Sequence, residues 1–239
     1  MIDIHSHLLP NLDDGVTSFG QSIEIIRGLS EVGVTDLILT PHYVPESKWC
    51  SPKKINQQKL DALVRHLFNA GVKMRVYLGN EIYINSDIVD LIKNGTVSTL
   101  ANSKYVLVEL PMSGEWAGFE DVLLLLKQKG YKPILAHPER YQTSAKDISY
   151  LYELASAGVL FQCNLGSIIG QYGRKPKKVI KKLAKANLIW CFGTDIHHAR
   201  DYREITKAQK KLRHYYTEED LNDLLVNNPR RILQSRARK

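Results

Sequence analysis

The feature that most constrains the fold is an alternation between short apolar segments and longer amphipathic segments. Seven aliphatic or β-branched runs end in polar residues, and stretches with helical periodicity lie between them. The apolar runs cover residues 2–4, 36–40, 73–78, 105–110, 133–136, 160–164 and 188–192. The predicted helices cover about 18–32, 52–70, 86–94, 119–129, 147–157, 176–186, 203–215 and 217–227. Strands that alternate with helices predict a parallel α/β fold.

Two parallel architectures fit this alternation, a closed barrel and an open doubly wound sheet. Both place functional residues at the carboxyl ends of the strands. The open sheet usually has a glycine-rich phosphate loop after its first strand. This chain has His5-Ser6-His7 at that point and contains no GxGxxG or P-loop motif. We therefore predict a single barrel domain over residues 1–239.

Several predicted helices carry recognisable start and stop signals. Ser51 followed by Pro52 predicts an N-cap with proline at the first helical position. Four glycines stand where helices should end, which predicts left-handed C-terminal caps. They are Gly71, Gly95, Gly130 and Gly158.

The composition argues against several classes of protein. No apolar run approaches the ~20 residues of a transmembrane helix, and no basic region followed by an apolar stretch begins the chain. We therefore expect a cytoplasmic protein without a transmembrane segment. Cys50, Cys163 and Cys191 lack CxxC spacing, so we predict buried reduced thiols rather than disulfides or a structural zinc finger. The net charge of +8 favours an anionic partner.

Side chains that can bind metal ions stand at the ends of six of the seven predicted strands. Any one of them could be a solvated loop residue, but that reading would have to hold independently at every strand. Their imidazole and carboxylate groups suit zinc, manganese and iron. Crowded carboxylates without cations are electrostatically unfavourable, so the pattern predicts two or three metal ions. The residues are His5, His7, His42, Glu81, Glu109, His137, Asp195 and His197, with Asp13 and Asp14 in the loop after the first strand.

These motifs together resemble the polymerase-and-histidinol-phosphatase (PHP) superfamily. They are most similar to the bacterial metal-dependent protein-tyrosine phosphatases of capsule and exopolysaccharide loci. The resemblance implies a distorted (βα)7 barrel with a trinuclear metal site. It spans nearly the whole chain and rests on His5-x-His7, Asp13-Asp14-Gly15, Thr40-Pro41-His42, Gly79-x-Glu81, His137-Pro138-Glu139-Arg140 and Thr194-Asp195-x-His197.

The resemblance also implies an assignment of the ligands. Asp14 rather than Asp13 matches the family's aspartate before Gly15. Manganese is the first expectation for the ions, while iron, zinc or magnesium also suit the ligands. The implied sets are His5, His7, Glu81 and Asp195 for one metal; Glu81, Glu109 and His137 for a second, with Glu81 bridging; and Asp14, His42 and His197 for a third.

Two arginines are expected to bind phosphate in that branch of the superfamily. Arg140 matches the His-Pro-Glu-Arg pattern. The family usually has its second arginine a few residues after the last metal histidine, where this chain has Tyr202. We assign Arg200 to this role, assuming a short deletion, and keep Arg203 as the alternative.

The implied reaction is hydrolysis of phosphotyrosine by a hydroxide that bridges two metal ions. A cysteine nucleophile is excluded, because that mechanism needs arginine six positions after the cysteine, where Asn56, Ile169 and His197 stand. The implied substrate is the phosphotyrosine tail of a bacterial tyrosine autokinase of capsule or exopolysaccharide synthesis. The alternatives are a small-molecule phosphatase of the histidinol-phosphate type, a metal-dependent nuclease, and a metal-stabilised module that binds phosphorylated tails.

A basic run lies on one predicted helix. It is either a solvated surface or a docking face for an acidic or phosphorylated tail or an anionic membrane. No aromatic residues interleave with it, so nucleic acid is not an expected ligand. The run is Arg174-Lys175-Pro176-Lys177-Lys178, continuing through Lys181, Lys182 and Lys185.

Four aromatic residues lie near the predicted ligands. They could line a slot for an aromatic ring or serve as ordinary packing. His66 and His214 are interpreted as helix-surface residues, and a homo-oligomer is compatible with the sequence. The four aromatic residues are Tyr43, Tyr83, Trp116 and Tyr141.

Overall fold

The computed structural model describes residues 1–114 and 118–236, and its strands pair in parallel. One sheet has the order β1-β2-β4, and the other has the order β3-β5-β6-β7-β8-β9. The prediction of a parallel α/β fold is therefore confirmed. The strands are β1 (Ile2–Asp3), β2 (Asp36–Leu39), β3 (His42–Tyr43), β4 (Arg75–Leu78), β5 (Glu81–Tyr83), β6 (Tyr105–Glu109), β7 (Lys132–Ala136), β8 (Leu160–Asn164) and β9 (Cys191–Gly193).

Two predicted strands are interrupted near their ends, which the sequence patterns did not predict. The strand predicted over 36–40 ends at Leu39 and resumes as β3 beyond Pro41, which has no N–H to donate to a ladder. The strand predicted over 73–78 resumes as β5 after Gly79 and Asn80. The side chain of Asn80 donates to the carbonyl of Pro41 (3.0 Å) and links the two interruptions. Glu81 therefore begins a strand rather than following one.

The helices largely follow the predicted segments. The helix containing the basic run begins earlier than predicted, and α5, α7 and α11 had no predicted counterpart because such short helices show little periodicity. Single turns of 3₁₀ helix cover Leu100–Asn102 and Pro138–Arg140, and a π-helical turn covers Asp223–Asn227. The α-helices are α1 (Phe19–Glu31), α2 (Lys53–Asn69), α3 (Ile88–Lys93), α4 (Phe119–Gln128), α5 (Gln142–Lys146), α6 (Ser149–Ser156), α7 (Leu165–Ile169), α8 (Arg174–Lys185), α9 (Ala199–Leu212), α10 (Glu218–Asn222) and α11 (Asn228–Gln234).

The predicted signals at helix ends were partly right. All four predicted C-terminal glycines have positive φ values, between 67° and 83°, as left-handed caps require. The predicted N-cap of α2 was wrong, because Pro52 occupies that position. The hydroxyl of Ser51 instead bonds the side chain of Asn56 inside the helix.

Most strands are buried on both faces, although β4 is exposed at Arg75, and alternate residues of the buried strands enter two separate apolar clusters. In β6, Val106 and Val108 join the larger cluster, which also contains helix residues, whereas Tyr105 and Leu107 join the smaller one. This period of two is the expected result of side chains pointing alternately to opposite faces of a sheet. Buried parallel strands also explain why their sequences read as continuous apolar runs.

The smaller cluster collects residues from strands of both sheets. Ile2 and Ile38 come from the first sheet, and Ile134 comes from the second. Leu100 from a 3₁₀ turn and Ile232 from α11 complete this cluster. We call these residues, with the other members of the cluster, the inner apolar cluster. Its apolar side chains from both sheets pack together, whereas the polar groups of the predicted site lie at the carboxyl ends of the strands.

The fold bears on two predictions made from composition, which concern a transmembrane segment and the burial of the cysteines. In the described part of the chain, no helix combines the length and apolarity needed to cross a bilayer. Cys163 and Cys191 are buried, as predicted, but Cys50 is exposed. That part of the prediction was wrong because Cys50 lies in the loop after β3, where it forms an isolated bridge to Tyr43.

Candidate metal centre

Glu81 lies at the centre of a buried cluster of histidines. Its Oε2 lies 3.1 Å from Nε2 of His5, 3.3 Å from Nε2 of His7 and 3.1 Å from Nδ1 of His42. Its Oε1 lies 2.9 Å from Nε2 of His137. Four histidines predicted from three different strand ends therefore meet around one carboxylate, which is fully buried.

The other predicted ligands surround this centre. Glu109 Oε1 lies 3.6 Å from His137 Nε2, and Asp195 Oδ1 lies 3.4 Å from His5 Nε2. Asp14 Oδ1 lies 3.3 Å from Nε2 of His197. The structure thus brings all nine sequence-predicted ligands together at one end of the strands. Their distribution among individual ions stays a prediction.

Four overlapping groups could each hold a metal ion, because their ligand atoms lie within 4.8 Å of one another. One of them contains the implied set of Asp14, His42 and His197 together with His7. In another, Glu81 and Glu109 are joined by His42, whereas the resemblance implied His137. The groups are His7, Asp14, His42 and His197; His5, His7 and Glu81; His5, His137 and Asp195; and His42, Glu81 and Glu109.

Unpaired polar atoms inside the cluster show that the residues fit divalent cations. Oε2 of Glu81 and Nδ1 of His42 are buried and have no hydrogen-bond partner among the described residues. Leaving such groups unpaired costs about 1–3 kcal/mol each, and more for a charged group. A cation among these atoms would satisfy them, since imidazole nitrogen and carboxylate oxygen are preferred ligands of Zn²⁺ and Mn²⁺.

The electrostatics of the cluster lead to the same conclusion. Burial, with the charges of Glu81 and Asp195, raises the pKa of Glu109 to about 9. Burial lowers the pKa of His5, but the carboxylates of Glu81 and Asp195 outweigh it and raise that pKa to about 9. Both groups therefore hold protons at neutral pH when no cation is bound, and bound cations would take the place of those protons.

Two of the predicted ligands have an uncommon backbone conformation. His137 has φ 33° and Asp195 has φ 53°, in the left-handed region that residues other than glycine rarely adopt. Such a conformation costs about 1–3 kcal/mol and persists only where the surrounding structure holds it. The unfavourable backbone conformation indicates that the positions of the His137 and Asp195 side chains are kept at a cost in conformational energy.

A chain of side-chain amides fixes the orientation of His5. Nδ2 of Asn164 donates to Oδ2 of Asp195 (2.7 Å), and Nε2 of Gln162 donates to Oδ1 of Asn164 (2.8 Å). Oε1 of Gln162 then faces Nδ1 of His5 at 2.7 Å. An ionised carboxylate only accepts hydrogen bonds, so Asp195 sets the direction of the whole chain. His5 must donate from Nδ1, which leaves Nε2 as its ligand atom.

Sequence reasoning missed this amide chain because it looked for histidines and carboxylates. Gln162 and Asn164 lie on β8, the one strand to which no ligand had been assigned. Both are fully buried and alternate with the apolar residues Phe161 and Cys163. Polar amides on one face of an otherwise apolar buried strand were the signal that could have revealed them.

We expect Asn164→Leu to weaken metal binding by about 10- to 100-fold, as is typical when a partner of a ligating histidine is lost. The substitution removes the donor to Asp195 and the acceptor for Gln162, so His5 loses its fixed tautomer. Metal affinity is measured by competition with a chelating dye. Asn56→Leu is the control, since Asn56 is equally buried but bonds Ser51 instead. Equal affinity in both variants would contradict a role for the amide chain.

Asp13 supports two histidines from behind. Its Oδ2 lies 2.7 Å from Nδ1 of His7 and accepts a hydrogen bond from the backbone N–H of His42 (3.0 Å). Burial opposes ionisation, but His7 outweighs it and lowers the pKa of Asp13 to about 2. Asp13 thus orients histidines, whereas its neighbour Asp14 points toward His42 and His197. This agrees with the choice of Asp14 as the ligand.

The cluster opens to solvent through a cavity of about 310 Å³, which we call the mouth. Nη1 of Arg140 bonds Oδ2 of Asp195 (2.6 Å), and its guanidinium lies 4.4 Å from the ring centre of Tyr172. The two contacts hold the planar guanidinium beside the ligands. The mouth is lined by Asp14, Arg140, Gln171, Tyr172, Asp195, His197, His198, Arg200 and Asp201.

The two candidates for the second arginine differ in position. Arg200 lines the mouth, although its side chain is 81% exposed. Arg203 is absent from the described lining and lies near the ring of Tyr202, at 5.9 Å. The geometry favours Arg200, and its role stays a prediction.

The proposed aromatic slot is only partly supported. Tyr141 is fully buried, and its hydroxyl donates to the carbonyl of Ala136 (2.7 Å), so it is a packing residue. Tyr43 is 7% exposed and belongs to the larger apolar cluster. Trp116 lies outside the described residues. The aromatic residue that lines the mouth is Tyr172, which sequence reasoning did not single out.

Known proteins that are similar in sequence identify the family of this chain. The family described as capsular polysaccharide synthesis, CpsB/CapC, matches residues 1–234 of the chain. The chain belongs to the CpsB/CapC family. The CapC protein of Staphylococcus aureus is 31% identical to this CpsB/CapC chain over 243 residues, covering 100% of the chain and 94% of that relative. The tyrosine-protein phosphatase YwqE of Bacillus subtilis (strain 168) is 31% identical over 221 residues, covering 92% of the chain and 82% of YwqE.

A solved structure supports the same membership. It comes from work on YwqE of Bacillus subtilis and CpsB of Streptococcus pneumoniae, described as unique metal-dependent tyrosine phosphatases. This CpsB/CapC chain superposes on it with a TM-score of 0.92 and 30% identity, covering 99% of the chain and 96% of the solved one. The resemblance to the tyrosine-phosphatase branch inferred from the motifs is confirmed.

Proposed function

We propose that this chain is a metal-dependent protein-tyrosine phosphatase that acts on a bacterial tyrosine autokinase of capsule or exopolysaccharide synthesis. The observation that carries the proposal is the convergence of nine histidine and carboxylate side chains, Glu81 among them, beside a mouth that holds Arg140. The similarity to YwqE and CpsB supports the reaction class. The cytoplasmic location expected from the sequence is part of this proposal, because the substrate is a kinase tail inside the cell.

The proposed cofactors are two or three divalent cations, with manganese as the first expectation. When bound, such cations lower the pKa of coordinated water and neutralise phosphoryl oxygens. His5, His7, Glu81 and Asp195 would hold one of them, Glu81, Glu109 and His137 another, and Asp14, His42 and His197 a third. Their close approach without hydrogen-bond partners at Glu81 and His42 supports this assignment.

The chain's own residues bind and orient the phosphoryl group. Arg140 is held by Asp195 and Tyr172, and its remaining N–H groups are suited to phosphoryl oxygens. Burial raises the pKa of the Tyr172 hydroxyl, so this group stays protonated and can donate a hydrogen bond at neutral pH. A tyrosine leaving group, with a pKa near ~10, needs less protonation than an alkoxide. The mechanism therefore does not depend on a strong general acid in the mouth.

A closed barrel accounts for the placement of these groups, and we infer that the two sheets join into one. Hydrogen bonds cross between the end of β1 in one sheet and the end of β9 in the other: the N–H of Asp195 donates to the carbonyl of His5 (2.9 Å), and the N–H of His7 donates to the carbonyl of Ile196 (3.0 Å). β2 with β3, and β4 with β5, then act as two interrupted strands. Counting each pair once gives the seven strands expected from the sequence. The inner apolar cluster, with members from both sheets, supports this inference.

Removal of metal tests the proposed function. We expect hydrolysis of a phosphotyrosyl peptide to fall to background in excess chelator and to return on addition of Mn²⁺, because the cluster would lose its cations. Phosphate release and metal content are measured on the same samples. Activity that persists in excess chelator after metal analysis shows none bound would contradict the proposal. A panel with histidinol phosphate and single-stranded DNA tests the two alternative activities.

A further inference from the structure

A second cavity, of about 360 Å³, lies on the outer surface where α7, α8 and α9 meet. We call it the basic groove. No carboxylate appears in its lining within residues 1–114 and 118–236. Its floor is apolar, and its walls carry four lysines and a histidine. The lining residues are Ile168, Ile169, Lys177, Lys207, Lys210, Lys211 and His214.

The spacing of the lysines on α9 explains why they converge. Lys207, Lys210 and Lys211 are three and four residues apart, so they share one face of the helix. Like charges at this spacing destabilise a helix slightly. Among the described residues, the carboxylate that pairs with this stripe is Glu204, 3.0 Å from Lys207, and that pair is exposed. Most of the positive charge of the stripe is therefore uncompensated.

The fourth lysine comes from a position that helix stability does not favour. Lys177 lies in the first turns of α8, which also carry Arg174 and Lys175 and no acidic residue. Cations near a helix N-terminus oppose the helix dipole. Lys177 is half-buried, and its Nζ donates to the carbonyl of Ile169 (3.2 Å), which holds it at the groove. The placement of this charge is better explained by an anionic ligand than by folding.

The shape and chemistry of the basic groove favour a peptide. Ile168 is buried and Ile169 half-buried, so they offer a concave apolar surface on which an aliphatic or aromatic side chain can pack. The apolar stems of the lysines extend this surface while their ammonium groups stay at the rim. No phenylalanine, tyrosine or tryptophan side chain lines the described groove, so it lacks a large aromatic surface on which nucleic-acid bases could stack.

The basic groove and the mouth of the metal centre are separate cavities whose lining residues come from the same loop and the same helix. Ile169, at the end of α7, lies in the groove, whereas Gln171, two positions further along the chain, lines the mouth. A hydrogen bond from Gln171 Nε2 to Asp201 Oδ1 (2.9 Å) ties this connecting loop to α9. Along α9, Asp201 lines the mouth and Lys210 lines the groove, and nine residues of helix span about 14 Å. An extended peptide covers that distance in about four residues. A peptide with its phosphotyrosine in the mouth can therefore reach the groove with residues close in sequence.

We propose that the basic groove binds an acidic segment of the substrate peptide, a few residues from the phosphotyrosine. The inference rests on the proposed phosphatase function and adds a determinant of substrate choice to it. The groove then acts on peptide binding, and the metal centre and Arg140 act on the chemical step. Substrates too small to reach the groove do not use it.

The test compares two phosphotyrosyl peptides that differ only in having glutamates or glutamines a few residues from the phosphotyrosine. We expect wild type to show a lower KM for the acidic peptide, and the groove variant to raise that KM about tenfold, since each exposed ion pair contributes a factor of about two. Hydrolysis of p-nitrophenyl phosphate should be unchanged. The groove variant is Lys207→Gln, Lys210→Gln and Lys211→Gln, and its control of equal charge is Lys178→Gln, Lys182→Gln and Lys185→Gln on α8.

Each outcome decides between distinct explanations. Equal KM for both peptides with wild type, or an equal rise in the groove and control variants, would overturn the proposal in favour of a general effect of net charge. Loss of anionic-vesicle or single-stranded DNA binding in the groove variant, with peptide kinetics intact, would assign the groove to another ligand. If wild type does not hydrolyse p-nitrophenyl phosphate, the proposed function fails. Fluorescence anisotropy of the acidic peptide then tests the groove by itself, and equal binding by both variants would overturn it.

Discussion

Replacing Glu81 with glutamine is expected to lower hydrolysis of a phosphotyrosyl peptide by about 100-fold or more, a larger effect than loss of a residue behind a ligand. The substitution keeps the size of the side chain but removes its charge and one acceptor oxygen. Both oxygens of Glu81 lie close to histidines, so no other carboxylate in the cluster can take over its position. The purified variant is also expected to contain less bound metal than wild type.

Metal content by plasma mass spectrometry and initial rates on the same preparation check this result. Glu139→Gln is a matched control, since Glu139 is also fully buried but accepts hydrogen bonds from Asn164 N–H (2.8 Å) and Ser167 Oγ (2.7 Å). We expect Glu139→Gln to lower the free energy of unfolding while its metal content stays near that of wild type. A Glu81→Gln protein with full metal content and full activity would remove Glu81 from the site.

Arg140→Ala is expected to reduce kcat/KM by about 100- to 1,000-fold, the range seen when a donor to developing charge is lost. Arg140 is the cation held in a fixed position beside the ligands, through Asp195 and the ring of Tyr172. Arg140→Lys should recover only part of the activity, because an ammonium group cannot bind two oxygens in a planar fork. Metal content should stay near that of wild type, which separates this effect from that of Glu81→Gln.

Substitution of Arg200 or Arg203 provides a comparison for the effect of Arg140→Ala on the kinetics. Arg200→Ala is expected to raise KM, since Arg200 lines the mouth, but by less than Arg140→Ala, since the Arg200 side chain is 81% exposed and its contact with Asp201 is long, at 3.8 Å. Arg203→Ala should leave the kinetics unchanged. If Arg203→Ala had the larger effect of the two, the assignment of Arg200 would be wrong.

The site could be predicted from the sequence because its residues obey a simple positional rule. In parallel α/β folds the carboxyl ends of the strands meet, so a histidine or carboxylate at each end shares one location. His5, His137 and Asp195 are far apart in the chain, yet they were placed together by this rule alone. The pattern of apolar runs was equally informative, because strands buried on both faces have no polar alternation to confuse them.

The parts that could not be predicted depend on contacts between distant residues. Nothing local in the sequence shows that Asn80 will bond the carbonyl of Pro41 and align two strand interruptions. The link from Asp195 through Asn164 and Gln162 to His5 spans three strands, and its direction is set only once all four groups are in place. Tyr172 was missed because its role comes from a loop that turns it toward Arg140.

The inner apolar cluster bears on how the peptide reaches the metal centre and how phosphate leaves it. It gathers apolar side chains from strands of both sheets, and Leu100 and Ile232 complete its packing. The predicted ligands Asp14, Asp195 and His197 face the mouth. We expect inorganic phosphate to leave through the mouth by which the peptide enters, so that the next peptide binds only after phosphate has left.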